Sequence, residues 1–311
     1  MGITHFDDAK HHELAIGHLN ATWSLLGEAA GCRTVGVRRI EVHEGGWSTP
    51  AHEHGRSEEI FYVLAGHGLS WHRGEVAEIR AGDCIVYRPG TGAHTLHALT
   101  ELDLLAFGPR LTDESPRFPR LGFSLLGGRW VESLDGVVDG LPIQFVRESE
   151  VGPPELAEPG PRPATIVNLA DVDGKTVERE HVSRTRRNLG IACGSVTTGL
   201  QHVEVAPGKE SAPLHCHSLE EEIFVILDGG GVLVLDDEEE TPVRPGSVVA
   251  RPAGTGVSHL FRAGDGGLTY LAYGTREPGD VCYYPRSKKI NFGGVGVIAR
   301  IEKLDYWDGE D

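Results

Sequence analysis

At 311 residues the chain is long enough for two domains of ordinary size. It carries 29 Lys and Arg against 46 Asp and Glu, a net charge of −17, which excludes a broad basic surface for nucleic acid or an anionic membrane. Charged residues at 24% and hydrophobic ones at 39% exclude wholesale disorder, and 42 Gly with 18 Pro imply many turns and many short strands.

The N-terminal stretch MGITHFDDAKHHE has no apolar core of a secretory signal, and Phe6 stands where N-myristoylation needs Ser or Thr. Residues 8–18 are expected to form a short helix, and His5, His11, His12 and His18 to be exposed or incidental. Strand-like runs follow: TVGVRRIEV (34–42), EIFYVLAG (59–66), CIVYRP (84–89) and LDLLAFG (102–108). The segment 148–163, rich in Pro and Glu, reads as an extended connector. The expected division is an N-terminal domain over 1–150, a linker over 151–163 and a C-terminal domain over 164–311. Beyond it come EIFVILDG (222–229), GVLVLDD (231–237), SVVARP (247–252) and LTYLAYG (268–274), with the acidic run 236–240 expected as a solvated hairpin loop. No segment approaches the ~18 apolar residues of a membrane-crossing helix. Cys32, Cys84, Cys193, Cys216 and Cys282 are scattered, so a cytoplasmic protein without disulfides is expected.

The two halves repeat one another. HEHGRSEEIFYVLAG (52–66) returns as HCHSLEEEIFVILDG (215–229) at an offset of 163, which also carries Gly27, Gly31 and Gly36 onto Gly190, Gly194 and Gly199. VYRPGTGAHTLHA (86–98) resembles VARPAGTGVSHLFRA (249–263), and AFGPR…FPR (106–120) is echoed by AYGTR…YPR (272–286). Evenly spaced strands in two copies imply two sandwiches or barrels.

Within each copy, histidines two apart on a strand project from one face, so His52 with His54, and His215 with His217, point into one interior. If Glu59 points inward at the start of the next strand, so do Phe61 and Val63; if Glu222 does, so do Phe224 and Ile226. Glu58, Glu221, Glu53 and Cys216 then face away, and His97 has opposite parity to His94. Three imidazoles and a carboxylate converging inside a barrel suit a divalent transition metal and suit an apolar core badly. Arg88 and Arg251 precede the Pro of the later motif in both copies; they either orient an anionic substrate or cap a turn. His67 and His72 lie near a hairpin and take no role.

These elements resemble the two signature motifs of the cupin superfamily, and the tandem arrangement resembles the bicupins. The resemblance implies an all-β chain of two tandem double-stranded β-helix (jelly-roll) barrels. It implies ligand sets His52, His54, Glu59 and His94, then His215, His217, Glu222 and His259, with up to one metal per domain. Thr91 stands where the family's second motif usually has Gly, and the Asn that usually follows the last His is absent. The resemblance also implies pairing of edge strands into a homodimer. An ionised Glu leaves a residual charge of about +1 on a divalent ion's first shell, which favours a small anionic or chelating ligand. Fe or Mn suits oxidoreductase chemistry, with Zn, Ni and Cu left open. The expected function is a metal-dependent oxygenase or related oxidoreductase on a small organic molecule, with no catalytic residue identified. A sugar-phosphate isomerase and a non-catalytic metal- and ligand-binding module are the rivals; the strong negative balance argues against the first. No phosphate-cradling GxxxxGK[ST] is present, and GGGVLVL (229–235) lacks the helix start a phosphate site needs.

Overall fold

The computed structural model describes residues 2–126, 129–131, 137–138 and 141–310. Alternating side chains give its strands two different faces. Along Glu59–Ala65, Phe61 and Val63 enter the core of a first barrel with Ile79, Ile85, Leu96 and Leu104, while Ile60 and Tyr62 turn outward. Along Glu222–Leu235, Phe224 and Ile226 enter a second barrel with Val203, Val249, Phe261 and Tyr270, while Ile223 and Val225 turn outward. The outward sets meet each other and form one buried layer between the barrels, in which Phe107 and Tyr273 stack at 5.2 Å.

The first barrel's larger sheet runs in the order Ile166–Asn168, Asp83–Tyr87, Glu59–Ala65, Leu102–Pro109, Val35–Val42, Leu19–Ser24 and His11–Ile16. A second sheet, Glu75–Arg80, His67–His72 and His94–Ala98, completes it. In the second barrel the order is Gly2–His5, Ser247–Arg251, Glu222–Leu235, His259–Thr275, Thr198–Val205, Ser183–Arg187 and Lys175–Glu178, with Glu239–Val243 alongside Glu222–Leu235. The ladders between these strands are antiparallel. One long bent strand in the second barrel does the work of two in the first, and the corner falls at equivalent glycines. Gly66 and Gly229 have φ of 89° and 72°, and a Cβ there would meet the carbonyl oxygens of Glu101 and Gly267 at 2.0 and 2.3 Å.

Two strands cross between the halves. Gly2–His5 pairs with Ser247–Arg251 of the second barrel, and Ile166–Asn168 pairs with Asp83–Tyr87 of the first. The exchange follows the repeat: Phe6 N–H donates to the Gly246 carbonyl as Leu169 N–H donates to that of Gly82. A single 3-10 turn follows each strand, the amide of its second residue donating to the side chain of His5 in one copy and of Asn168 in the other.

Buried carboxylates also tie the halves together. Glu58 accepts from the backbone of Val196, Thr197 and Thr198 and from the hydroxyls of Ser195 and Thr198, at 2.7–3.1 Å. Its repeat counterpart Glu221 accepts from the amides of Arg33 and Thr34 and from the Thr34 hydroxyl. Burial alone would raise the Glu58 carboxyl, but these donors outweigh it and hold it below its ordinary range.

Several expectations need correction. Residues 8–18 form no α-helix: Phe6–Asp8 is a 3-10 turn, and His11–Ile16 is a strand pairing with Leu19–Ser24. The edge of a sheet outweighs local helical pattern there. His5 is a cap whose Nε2 lies 2.8 Å from the Pro245 carbonyl, and His18 is largely buried 3.7 Å from Glu148, so neither is incidental. The connector starts inside a helix, Ile143–Val151, whose buried Glu148 is gripped by Arg120. No helix among the described residues is long and apolar enough to cross a membrane.

Candidate metal centres

In the first barrel, His52 and His94 face each other as an isolated antiparallel bridge, and Glu59 opens the strand beside them. His94 Nε2 lies 2.8 Å from Glu59 Oε2, with His54 Nε2 at 3.5 Å and His52 Nε2 at 3.7 Å. The four ligand atoms of His52, His54, Glu59 and His94 all lie within 4.8 Å of one another. In the second barrel His259 Nε2 is 3.1 Å and His217 Nε2 is 3.7 Å from Glu222 Oε2. The second set is looser: His215, Glu222 and His259 form one such group. His217 falls into overlapping groups with His215 and Cys282, and with Glu220 and Asp280. The HxH geometry is the same in both copies, with ring centroids 5.1 Å apart and planes at 77°.

The far sides of the rings fix which nitrogen faces the centre. His52 Nδ1 is 2.9 Å from the Pro50 carbonyl, and His215 Nδ1 is 2.8 Å from that of Pro213. A carbonyl only accepts, so Nδ1 carries the proton and Nε2 offers its lone pair. His217 Nδ1 is 2.7 Å from Asp280, and His54 Nδ1 is 3.7 Å from Glu114. Glu114 and Asp280 occupy matching places: each also accepts from the backbone amides of the turn that leads from the HxH pair to the ligand Glu. Such outer carboxylates orient ligating imidazoles and raise their basicity. Phe118 lies over His52 at 6.0 Å and Tyr284 over His215 at 5.9 Å, which explains the FPR/YPR echo.

The electrostatics suit a cation. Burial pushes His94 down to about 3 and His215 down to about 4, and lowers His259 as well, so these rings are neutral donors. Burial opposes charge on Glu59 and Glu222 too, but the surrounding imidazoles overcome it and hold both carboxyls low. Burial would also lower His54, yet Glu114 and Glu59 lift it to about 10, so positive charge is favoured at this point. Three buried ligand atoms, His54 Nε2, His259 Nε2 and Glu222 Oε2, have no hydrogen-bond partner, an arrangement that costs stability unless an ion satisfies them. The donor sets fit a divalent metal.

Other residues depart from expectation. Arg88 and Arg251 are not equivalent in space: Glu59 is registered against Tyr87, and Glu222 against Arg251. Arg88 is exposed, whereas Arg251 is buried and donates to the Val257 carbonyl, a turn cap beside the second centre. Tyr87 instead stacks flat on His94 at 3.8 Å, with its hydroxyl 2.7 Å from that of Ser70. His97 turns away from His94, packing on Trp47 and meeting the Gly46 carbonyl. Glu114 and Asp280 escaped the sequence reading, although each stands four residues before the aromatic of the repeated FPR/YPR motif.

A cavity of about 390 Å³ opens onto the second centre and is lined by His215, His217, Glu222 and His259 with Arg184, Arg186 and Tyr270. A cleft of about 190 Å³ reaches His54 and Glu59 of the first centre. A family model described as "Cupin domain" matches the chain twice, at residues 38–107 and 201–272. Among solved structures, the Lactobacillus farciminis oxalate decarboxylase formate complex is 16% identical at a TM-score of 0.57, covering 89% of this chain and 86% of that one. Oxalate decarboxylase from Bacillus subtilis is 16% identical at 0.57, covering 88% and 75%. Recombinant pro-11S globulin of pumpkin is 11% identical, also at 0.57, covering 91% and 87%. At these identities the likeness is one of fold. No curated protein matches the sequence.

Proposed function

The chain belongs to the cupin superfamily as a bicupin, and from that premise we propose that it is a metal-dependent oxidoreductase, oxygenase in type, acting on a small anionic or chelating molecule in its second barrel. The observation that carries this reading is the coincidence, in one cavity, of a three-His, one-Glu donor set and room for a small ligand. His215, His217, Glu222 and His259 would hold the metal there, and His52, His54, Glu59 and His94 would hold one in the first barrel. A bound Fe or Mn ion supplies redox and Lewis-acid chemistry to an oxygen chelate. The chain's own groups prepare that place: Pro213 and Asp280 orient the imidazoles, while Tyr284, Phe224 and Phe261 supply aromatic walls to the cavity. The first barrel's set, stacked under Tyr87 and Phe118, is read as the supporting centre.

Anaerobic reconstitution with Fe(II), followed by O₂ uptake across dicarbonyls, catechols and hydroxy acids, tests the reading. Uptake with one class is expected, together with up to two metals per chain by elemental analysis. Full metal occupancy with no turnover would favour the binding module. The isomerase reading gains one observation, because Arg184 and Arg186 supply locally the cations that the net charge argues against. Turnover of a phosphorylated sugar without O₂ would establish it.

A further inference from the structure

The strand Ser183–Arg187 has an unusual inner face. It pairs with Thr198–Val205 so that Arg184 lies opposite Val205 and Arg186 opposite Val203, both core residues of the second barrel. The same positions in the first barrel are Ala21, opposite Val42, and Trp23, opposite Ile40. Two guanidinium groups therefore stand where the sister copy has an apolar wall. Arg187, on the outer face, is neutralised by Glu204 at 2.7 Å. Arg184 gives one N–H to the Ser211 carbonyl, and Arg186 has no hydrogen bond or ion pair among the described residues. The two arginines repel one another, and burial adds to that cost.

They line the same cavity as the metal ligands. Tyr284, stacked on His215, lies in the field of Arg184, and Tyr270 lies in the fields of Arg184, Arg186 and Glu222 together. The acids of this cavity offer the pair no partner within ion-pair distance: Asp280 is engaged by His217 and two backbone amides, and Glu220 accepts from the Glu277 amide.

Building on the reading of this barrel as a metal-dependent site for a small chelating acid, we propose that Arg184 and Arg186 form a second anion subsite, so that the substrate is a two-ended acid. One end chelates through oxygen at the His/Glu centre, and a distal carboxylate or phosphate docks on the arginine pair. A planar guanidinium fork matches either oxyanion bidentately.

The test compares acids that differ only at the distal end, using the full chain reconstituted with Mn(II) and a first-barrel knockout, His52→Ala with His54→Ala. Malate against lactate, and 3-phosphoglycerate against glycerate, are titrated by calorimetry and by the change in the Mn(II) spin-resonance signal. At least one two-ended acid is expected to bind about 10-fold or more tighter than its one-ended counterpart. The pair that shows the preference distinguishes carboxylate from phosphate. Arg184→Gln with Arg186→Gln should reduce that preference to within about twofold while metal content stays unchanged. If that variant does not fold, the preference in the unmutated arginine strand should fall as ionic strength rises, because it is a charge–charge effect. Equal binding of one- and two-ended acids, no binding of any acid by metal-loaded protein, or a preference surviving the double change would overturn the subsite and leave the metal centre standing. Failure to take up Mn(II) would instead overturn the reading beneath it.

Discussion

The two barrels carry the same chemistry in their ligands and different chemistry in their walls. In the first, Ala21, Trp23 and Tyr87 line positions that in the second are Arg184, Arg186 and Arg251. Three apolar or aromatic residues against three arginines is a large divergence for copies whose HxH rings superpose in spacing and angle. The first centre is correspondingly tight and overlaid by rings; the second is looser and opens onto the larger cavity. Duplication kept what grips the ion and released what surrounds it. That is the pattern expected if one barrel secures the structure and the other selects the ligand.

The largest effect should come from removing one centre at a time. His215→Ala with His217→Ala is expected to lower metal from two to one per chain and to cut turnover more than ~100-fold. His52→Ala with His54→Ala should lower metal equally but spare most turnover; the reverse result would swap the roles of the barrels. Next, Phe107→Ala should destabilise the layer between the barrels by about 3–5 kcal/mol, read as an earlier urea midpoint for the whole chain. If only one barrel's probes shift, the halves unfold independently.

Glu58→Ala should cost about 1–3 kcal/mol, because buried donors at Ser195–Thr198 lose their acceptor, and Glu221→Ala less, since fewer donors depend on it. The Glu58 carboxyl sits below its ordinary value near 4.5 in the fold, so its stabilisation is present above that pH and fades as pH falls. Glu58→Gln should flatten that part of the acid limb. The smallest and most selective change is Asp280→Asn, expected to weaken only the second barrel's metal about 10-fold, with Glu114→Gln doing the same to the first.

Much of this was legible in the residues. Period-two alternation placed Phe61, Val63, Phe224 and Ile226 inside and Glu58 and Glu221 outside, because a strand offers only two faces. What Glu58 and Glu221 reach was not legible, since their partners lie 137–140 and 187–188 residues away. The Arg88–Arg251 match failed for a local reason: the stretch from Gly229 to Gly246 is one residue longer than that from Gly66 to Gly82, and one residue moves a side chain to the other face. SRTRR, lacking apolar alternation, gave no strand signal although it forms a barrel wall. The Gly2–His5 strand was hidden because its partners come from the other half.

That last exchange has a consequence for how the polypeptide can be assembled. A gene severed in the connector would encode two fragments, each missing an outer strand that the other still carries, since Gly2–His5 completes one sheet and Ile166–Asn168 the other. Such fragments should reconstitute a native complex when co-expressed and expose raw sheet edges when produced singly. The pattern is also that of two identical ancestral chains trading arms, later fused end to end.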